Sequence, residues 1–226
     1  PEGDPFVVDY TTHEMGHQFG ANHTFTFSNE TGTASQMEPG SGSTIMGYAG
    51  ITGTTDVQPH SDDYFHARSV EQITDYIKLA SGGGSCAVVT STGNAIPTAN
   101  AGADYTIPKS TPFALTGVAT DATPGDVLTY TWEQYNTGTK TTTMPSATAT
   151  SGPVFRSRTY STSPTRTFPI LASILDGTNG NTWEKLPSVA RTLAFRLTVR
   201  DNHAGGGANT SDDVNVIISS ASGPFV

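Results

Sequence analysis

One cysteine in 226 residues, Cys86, excludes any internal disulfide framework. It is either a free thiol or the partner of a cysteine outside this chain. Charged residues make up only 14% of the chain, and Lys plus Arg number 11 against 20 Asp plus Glu, which argues against nucleic acid as a partner. No apolar run approaches the roughly 18–20 residues needed to cross a bilayer. No positively charged leader with an apolar stretch opens the chain. Its start, Pro1-Glu2-Gly3-Asp4-Pro5, reads as a loop, so a mature or truncated piece of a longer secreted precursor is expected.

Gly (24), Pro (14) and abundant Thr and Ser suit turn-rich, β-rich extracellular or cell-surface material. Charge divides the chain. Residues 1–90 carry 11 acidic and 2 basic side chains, whereas residues 91–226 carry 9 of each. Five of the six histidines also lie in the first 90 residues. Two parts with different work are expected, with the chemistry in the first.

That chemistry centres on His13-Glu14-Met15-Gly16-His17-Gln18-Phe19-Gly20-Ala21-Asn22-His23, an H-E-x-x-H-x-x-G-x-x-H pattern. Residues four apart share one helix face, so His13 and His17 can direct two imidazoles at one point. Gly20 permits the positive φ that ends the helix, and His23 then returns as a third nitrogen donor. Three protein ligands leave a fourth position for water, the arrangement of a catalytic zinc site. Glu14 stands beside the first ligand, able to reach that water without binding the metal. By ordinary residue frequencies the full pattern arises by chance in roughly one chain of this length in 10⁵.

The pattern resembles the metzincin zinc proteases. Thr44-Ile45-Met46-Gly47-Tyr48 supplies the Met-turn such a resemblance requires, with Met46 as an apolar floor under the imidazoles. Tyr48 matches the tyrosine two residues after the Met in astacin-like and serralysin-like metzincins, where it can reach the metal or the developing oxyanion. The alternative for Tyr48 is a packed aromatic in the pocket wall. The resemblance implies that His13, His17 and His23 bind zinc. It implies that Glu14 polarises the attacking water and carries its proton to the leaving amine, and that Gly47, Tyr48, Ala49 and Gly50 wall a substrate pocket.

Asp4 and Pro5 fit an N-cap and first position for the first helix, with Phe6, Val7, Tyr10, Met15 and Phe19 as an apolar face beside the ligand face. Residues 24–43 read as a long polar loop. Asn29-Glu30-Thr31 and Asn22-His23-Thr24 match the short glycosylation sequon. A second helix is expected after Ser61–Arg68, with a capping box at Ser69-Val70-Glu71-Gln72 and Val70, Ile73, Tyr76 and Ile77 at helical spacing. His60, His66 and the Asp62-Asp63 pair read as surface, packing or turn residues.

A Gly/Ser/Thr-rich stretch over residues 86–96 separates a first domain, 1–85, from a second, 97–226. From Pro97 the pattern turns to period two. Phe113 and Leu115, then Leu128, Tyr130 and Trp132, then the run Leu193–Val199, then Val214, Val216 and Ile218 alternate with polar residues. That predicts an antiparallel β-sandwich, with an insertion over 137–190 pinned by Trp183. Its order resembles PKD-like, immunoglobulin-type modules of secreted bacterial proteins. Asp121, Asp126, Asp201 and Asn202 fall at strand ends, where they could gather calcium, although turn formation is the more ordinary role.

The expected class is therefore α+β: a mainly helical lower metzincin subdomain with zinc helix, Met-turn and C-terminal helix, followed by an all-β immunoglobulin-like sandwich. The whole resembles bacterial secreted, reprolysin-like metzincins. Such proteases carry an upper subdomain before the zinc helix, and its edge strand pairs with the substrate backbone. The parent's missing N-terminal subdomain is thus an expected partner, beside a protein or peptide substrate. Thr24 departs from the Asp that follows the third His in snake-venom-type relatives. The rival expectation is a non-catalytic cell-surface or glycan-binding protein with a structural zinc site.

Overall fold

A computed structural model of the chain describes residues 6–30, 33–139, 144–178 and 180–223. The expected Asp4–Pro5 cap lies outside these residues, as does Thr31 of one sequon. The chain divides into two compact units. One comprises Pro1–Thr90 with Thr137–Met144, the other Ser91–Asn136 with Pro145–Val226.

In the first unit a π-helical stretch, Phe6–Thr12, leads directly into helix α1, His13–Gln18. Gly20, at φ 87°, ends it by the expected left-handed turn. The apolar residues expected to pack beside the ligand face do not do so: Phe6, Val7, Tyr10, Met15 and Phe19 are all exposed. The buried face of α1 is instead that of His13 and Gly16. Gly16 explains why. A Cβ there would sit 2.4 Å from Met46 Sδ, so the missing side chain lets the helix settle onto the methionine. Ala21, Ile45 and Met46 form a small apolar cluster, joined by Val8, Phe65 and Ile73.

Helix α2 spans Ala67–Lys78. It starts three residues earlier than a capping box at Ser69 requires, because His66 is the cap: its Nδ1 accepts the Arg68 N–H at 3.0 Å. Ser69 is buried within the first turn, and Gln72, the other end of the expected box, accepts the Asn22 N–H at 3.0 Å rather than reaching back to Ser69. Tyr76 of α2 lies 3.1 Å from where a Cβ on Gly20 would be, which brings α2 against the end of α1.

The second unit is β-rich. Strands β1 (Tyr105–Pro108), β3 (Thr129–Gln134), β7 (Arg191–Arg200) and β8 (Asn209–Ser219) form a four-stranded sheet in the order β1-β8-β7-β3. β1 joins β8 in parallel, while β8, β7 and β3 pair antiparallel. β2 (Phe113–Thr116) and β4 (Thr165–Phe168) form a second, antiparallel pair. Alternation holds along the long strands. Leu193, Phe195, Leu197 and Val199 of β7 are wholly buried and share one core with Val214, Val216 and Ile218 of β8 and with Leu115 and Phe168 of the second sheet. Helix α3 (Leu171–Leu175) and a short hairpin of β5 (Gly180–Asn181) and β6 (Glu184–Lys185) follow β4.

The stretch 137–190 contains part of the sandwich itself. β4 is an integral partner of β2, Phe168 stacks on Phe113 in the core, and residues Thr137–Met144 belong to the first unit. The acidic residues at strand ends behave mainly as turn formers. Asp201 accepts from Asn94 Nδ2 and from the backbone of His203 and Ala208, Asp126 faces His203, and Asp121 Oδ1 accepts from Thr123. Asn202 uses its amide to donate to Val127 O, so it offers no ligand oxygen by that contact. The carboxylates of Asp121, Asp126 and Asp201 lie within 4.8 Å of one another, and Asp121 Oδ2 is buried without a donor. The expectation of calcium gains no further support.

Candidate metal centre

The first ligand pair comes from α1. His13 and His17, four residues apart, present their rings at right angles, with centroids 4.8 Å apart. The turn at Gly20 brings His23 to meet them. Its Nε2 lies 3.1 Å from Nε2 of His13 and 3.1 Å from Nε2 of His17. These three imidazoles form a group able to hold a metal ion.

Each ring is fixed from behind. His13 Nδ1 faces the carbonyl of Ile45 at 2.7 Å, His17 Nδ1 the carbonyl of Ala21 at 2.8 Å, and His23 Nδ1 a carboxylate oxygen of Glu30. A carbonyl or carboxylate oxygen can only accept, so Nδ1 carries the proton in each ring. The three Nε2 lone pairs therefore face one another. Without a cation that is repulsive; with one it is a three-nitrogen donor set with its outer shell satisfied, which fits zinc. Burial, together with the neighbouring imidazoles, holds His13 below the ordinary histidine range. Burial does the same at His23 despite the opposing pull of Glu30. Both effects favour the neutral, ligating form.

Met46 is fully buried, and its carbonyl accepts the Thr24 N–H at 3.1 Å, tying the loop that bears it to the residue after His23. Tyr48 packs against His23 and Phe25, with ring centroids 4.6 and 4.8 Å away. Burial first, then the charges of Glu30 and Glu14, raise the Tyr48 hydroxyl above the usual phenol range, so it remains a proton donor. Glu14 is exposed. It lines a cleft of about 320 Å³ together with His13, Gly47, Tyr48, Ala49 and Gly50. The cleft thus gathers the three small wall residues expected from the sequence, one imidazole, the adjacent carboxylate and the tyrosine.

Two carboxylates escaped the sequence reading. Glu30 sits behind His23, where it orients the ring. Glu38 is fully buried. It accepts from Thr24 Oγ1 and Thr44 Oγ1, each at 2.5 Å, and from the Ser43 N–H at 3.0 Å. It thereby joins the chain after His23 to the loop before Met46. Burial alone would raise its pKa. The neighbouring His66 and these hydrogen bonds outweigh that and hold it below the usual carboxylate range. His66 is accordingly a buried structural residue, and His60 pairs with Asp9 at 2.9 Å rather than joining the imidazole cluster.

Among the described residues no helix is long and apolar enough to cross a membrane. No curated protein and no solved structure matches the chain. Residues 1–76, about a third of its length, match the family described as metallo-peptidase family M12B, reprolysin-like. Metallopeptidases of that family use zinc. The first unit is thus similar to a metzincin-like protease, and the His13, His17 and His23 cluster is of the kind that could bind the metal.

Proposed function

We propose that the first unit is a zinc-dependent endopeptidase acting on protein or peptide substrates. One observation carries this reading: three imidazoles, each locked through Nδ1 to a hydrogen-bond acceptor, turn their Nε2 atoms toward one shared point. His13, His17 and His23 would hold the metal. Bound there, zinc supplies Lewis acidity that brings the pKa of a water toward neutrality and polarises the scissile carbonyl.

The rest of the chemistry falls to this chain's side chains. Glu14, exposed in the cleft beside the first ligand, accepts the proton of the attacking water at its carboxylate. It then returns that proton to the leaving amine nitrogen. Tyr48, kept protonated by its surroundings, donates its hydroxyl hydrogen to the carbonyl oxygen as charge develops there. Met46 and Gly16 set the height of the helix beneath the imidazoles. Gly47, Ala49 and Gly50 leave the wall of the cleft open to a substrate side chain.

In this reading the β-rich unit is an immunoglobulin-like, PKD-like accessory module, and the protein acts outside the cell. The Gly/Ser/Thr-rich composition supports that placement. A structural zinc site in a glycan-binding protein has less in its favour, because it has no use for a carboxylate standing in an open cleft.

The test is proteolysis of an unfolded protein substrate with and without chelator, repeated with Glu14→Gln. Chelation should abolish cleavage and added zinc restore it. The variant should still bind zinc but turn over about 10²–10⁴-fold more slowly. Chelator-insensitive cleavage, or full activity in the variant, would overturn the proposal.

A further inference from the structure

The cleft beside the imidazoles has a second carboxylate with no part in the steps above. Asp9 lies on the π-helical stretch, four residues before His13, and lines the same cleft. Its position is fixed. Oδ1 accepts the Ser61 N–H at 2.8 Å, and Oδ2 faces His60 Nδ1 at 2.9 Å, so a loop more than fifty residues away in sequence holds the carboxylate in place. The Asp9 side chain is 13% exposed, enough to meet a ligand atom while mostly withdrawn from water.

The cleft is short of permanent cations. Among the described residues no Lys or Arg lines it, and His60, which pairs with Asp9, is the one basic side chain there besides the ligand His13. The first 90 residues carry only two Lys or Arg side chains, Arg68 and Lys78, and Arg68 is paired with Glu71. Both belong to α2, away from the lining. Glu14 adds a second negative charge. The remaining wall is apolar: Tyr10, Ile51 and Pro59 line the cleft, with Tyr10 and Ile51 well exposed to an incoming group.

Apolar walls with a fixed anion match one kind of side chain. Lys and Arg lay a hydrocarbon stem along apolar surface and carry a cationic donor at the tip. A charge-assisted hydrogen bond to a partly desolvated carboxylate is among the stronger polar contacts available. We propose that the cleft selects a lysine or arginine side chain of the substrate next to the cleaved bond, with Asp9 as the specificity-determining residue. The inference rests on the peptidase reading and names its substrate class. An uncharged side chain would add no charge-assisted bond to Asp9, which keeps only His60 and the Ser61 N–H, and an acidic one would face both Asp9 and Glu14.

The test uses the purified zinc-loaded protein and peptides identical but for one residue, placed in turn on either side of the scissile bond as Lys, Met or Glu. On the favoured side, kcat/KM should be about tenfold or more higher for Lys than for Met, and lowest for Glu. The Lys preference should shrink as salt is raised. Asp9→Asn keeps the shape and an acceptor for Ser61. It should bring the Lys to Met ratio toward one, mainly through loss of Lys-peptide cleavage. Ile51→Lys, at a 64% exposed position, should lower cleavage of the Lys peptide and raise that of the Glu peptide. Equal cleavage of Lys and Met peptides by the unaltered protein overturns the inference and leaves the peptidase reading standing. Cleavage of none of them overturns both.

Discussion

Fourteen apolar side chains share the core of the β-rich unit, whereas among the described residues the apolar cluster of the imidazole-bearing unit consists of Ala21, Ile45 and Met46. The fully buried residues of the latter are largely polar: Thr24, Thr26, Ser35, Glu38, Ser41, Ser43, Thr44 and His66. The contrast follows from what each backbone must do. Long alternating strands satisfy their own N–H and C=O groups in the ladder, so their inward faces are free to be apolar. Loops that must place three rings at one point have no regular ladder; their backbone groups meet one another across turns, with the Glu38 carboxylate and the Ser41 hydroxyl filling in at Ser43 and Val57. The β unit is stabilised by burial of area. The site unit is held by a polar network and, in our account, by the ion that its rings surround.

That contrast can be broken from either side. The largest expected effect is at Phe195, wholly buried with its ring 4.5 Å from Phe168 and 5.7 Å from Phe113. Phe195→Ala should cost the β unit about 3–5 kcal/mol. Both tryptophans, Trp132 and Trp183, lie in this unit, so their fluorescence during denaturation reports on it alone. Zinc retention should be unaffected, and its loss would show that the two stabilities are not separate.

A smaller effect, about 1–3 kcal/mol, is expected at the other pole from Glu38→Gln, which keeps the shape but loses the charge that three donors and His66 surround. Because the folded-state pKa of Glu38 is depressed, its contribution is fully present above the ordinary carboxylate range and is lost as pH falls through the lower, folded value. In the metal-free protein, amide exchange of the Ser43 N–H should therefore separate wild type from variant most at neutral pH, the gap closing on acidification. A gap unchanged by pH would mean that Glu38 acts through shape and not charge.

Much of this was written in local sequence. His13 and His17 are four apart, Gly20 stands where the helix must stop, and the structure does bring His23 back to them. The strict alternation from Leu193 to Val199 needed no tertiary information to show its buried face. What stayed hidden acts across distance or against type. Glu38 meets Thr24 from fourteen residues away, and Asp9 meets His60 from fifty-one. Neither pair has a spacing that a helix or strand period reveals. Histidine is an uncommon helix cap, so Ser69 drew attention that belonged to His66. The exposed row of Phe6, Tyr10 and Met15 carries a helical apolar pattern, but packing chose the face with Gly16 because only there could Met46 approach.

X-ray absorption at the zinc edge, on protein loaded with one equivalent of the metal, tests the central claim most directly. The account predicts stoichiometric binding, with three imidazole nitrogens at about 2.0–2.1 Å and one further light ligand. No binding, a sulfur neighbour, or a spectrum that survives replacement of His23 by Ala unchanged would contradict it.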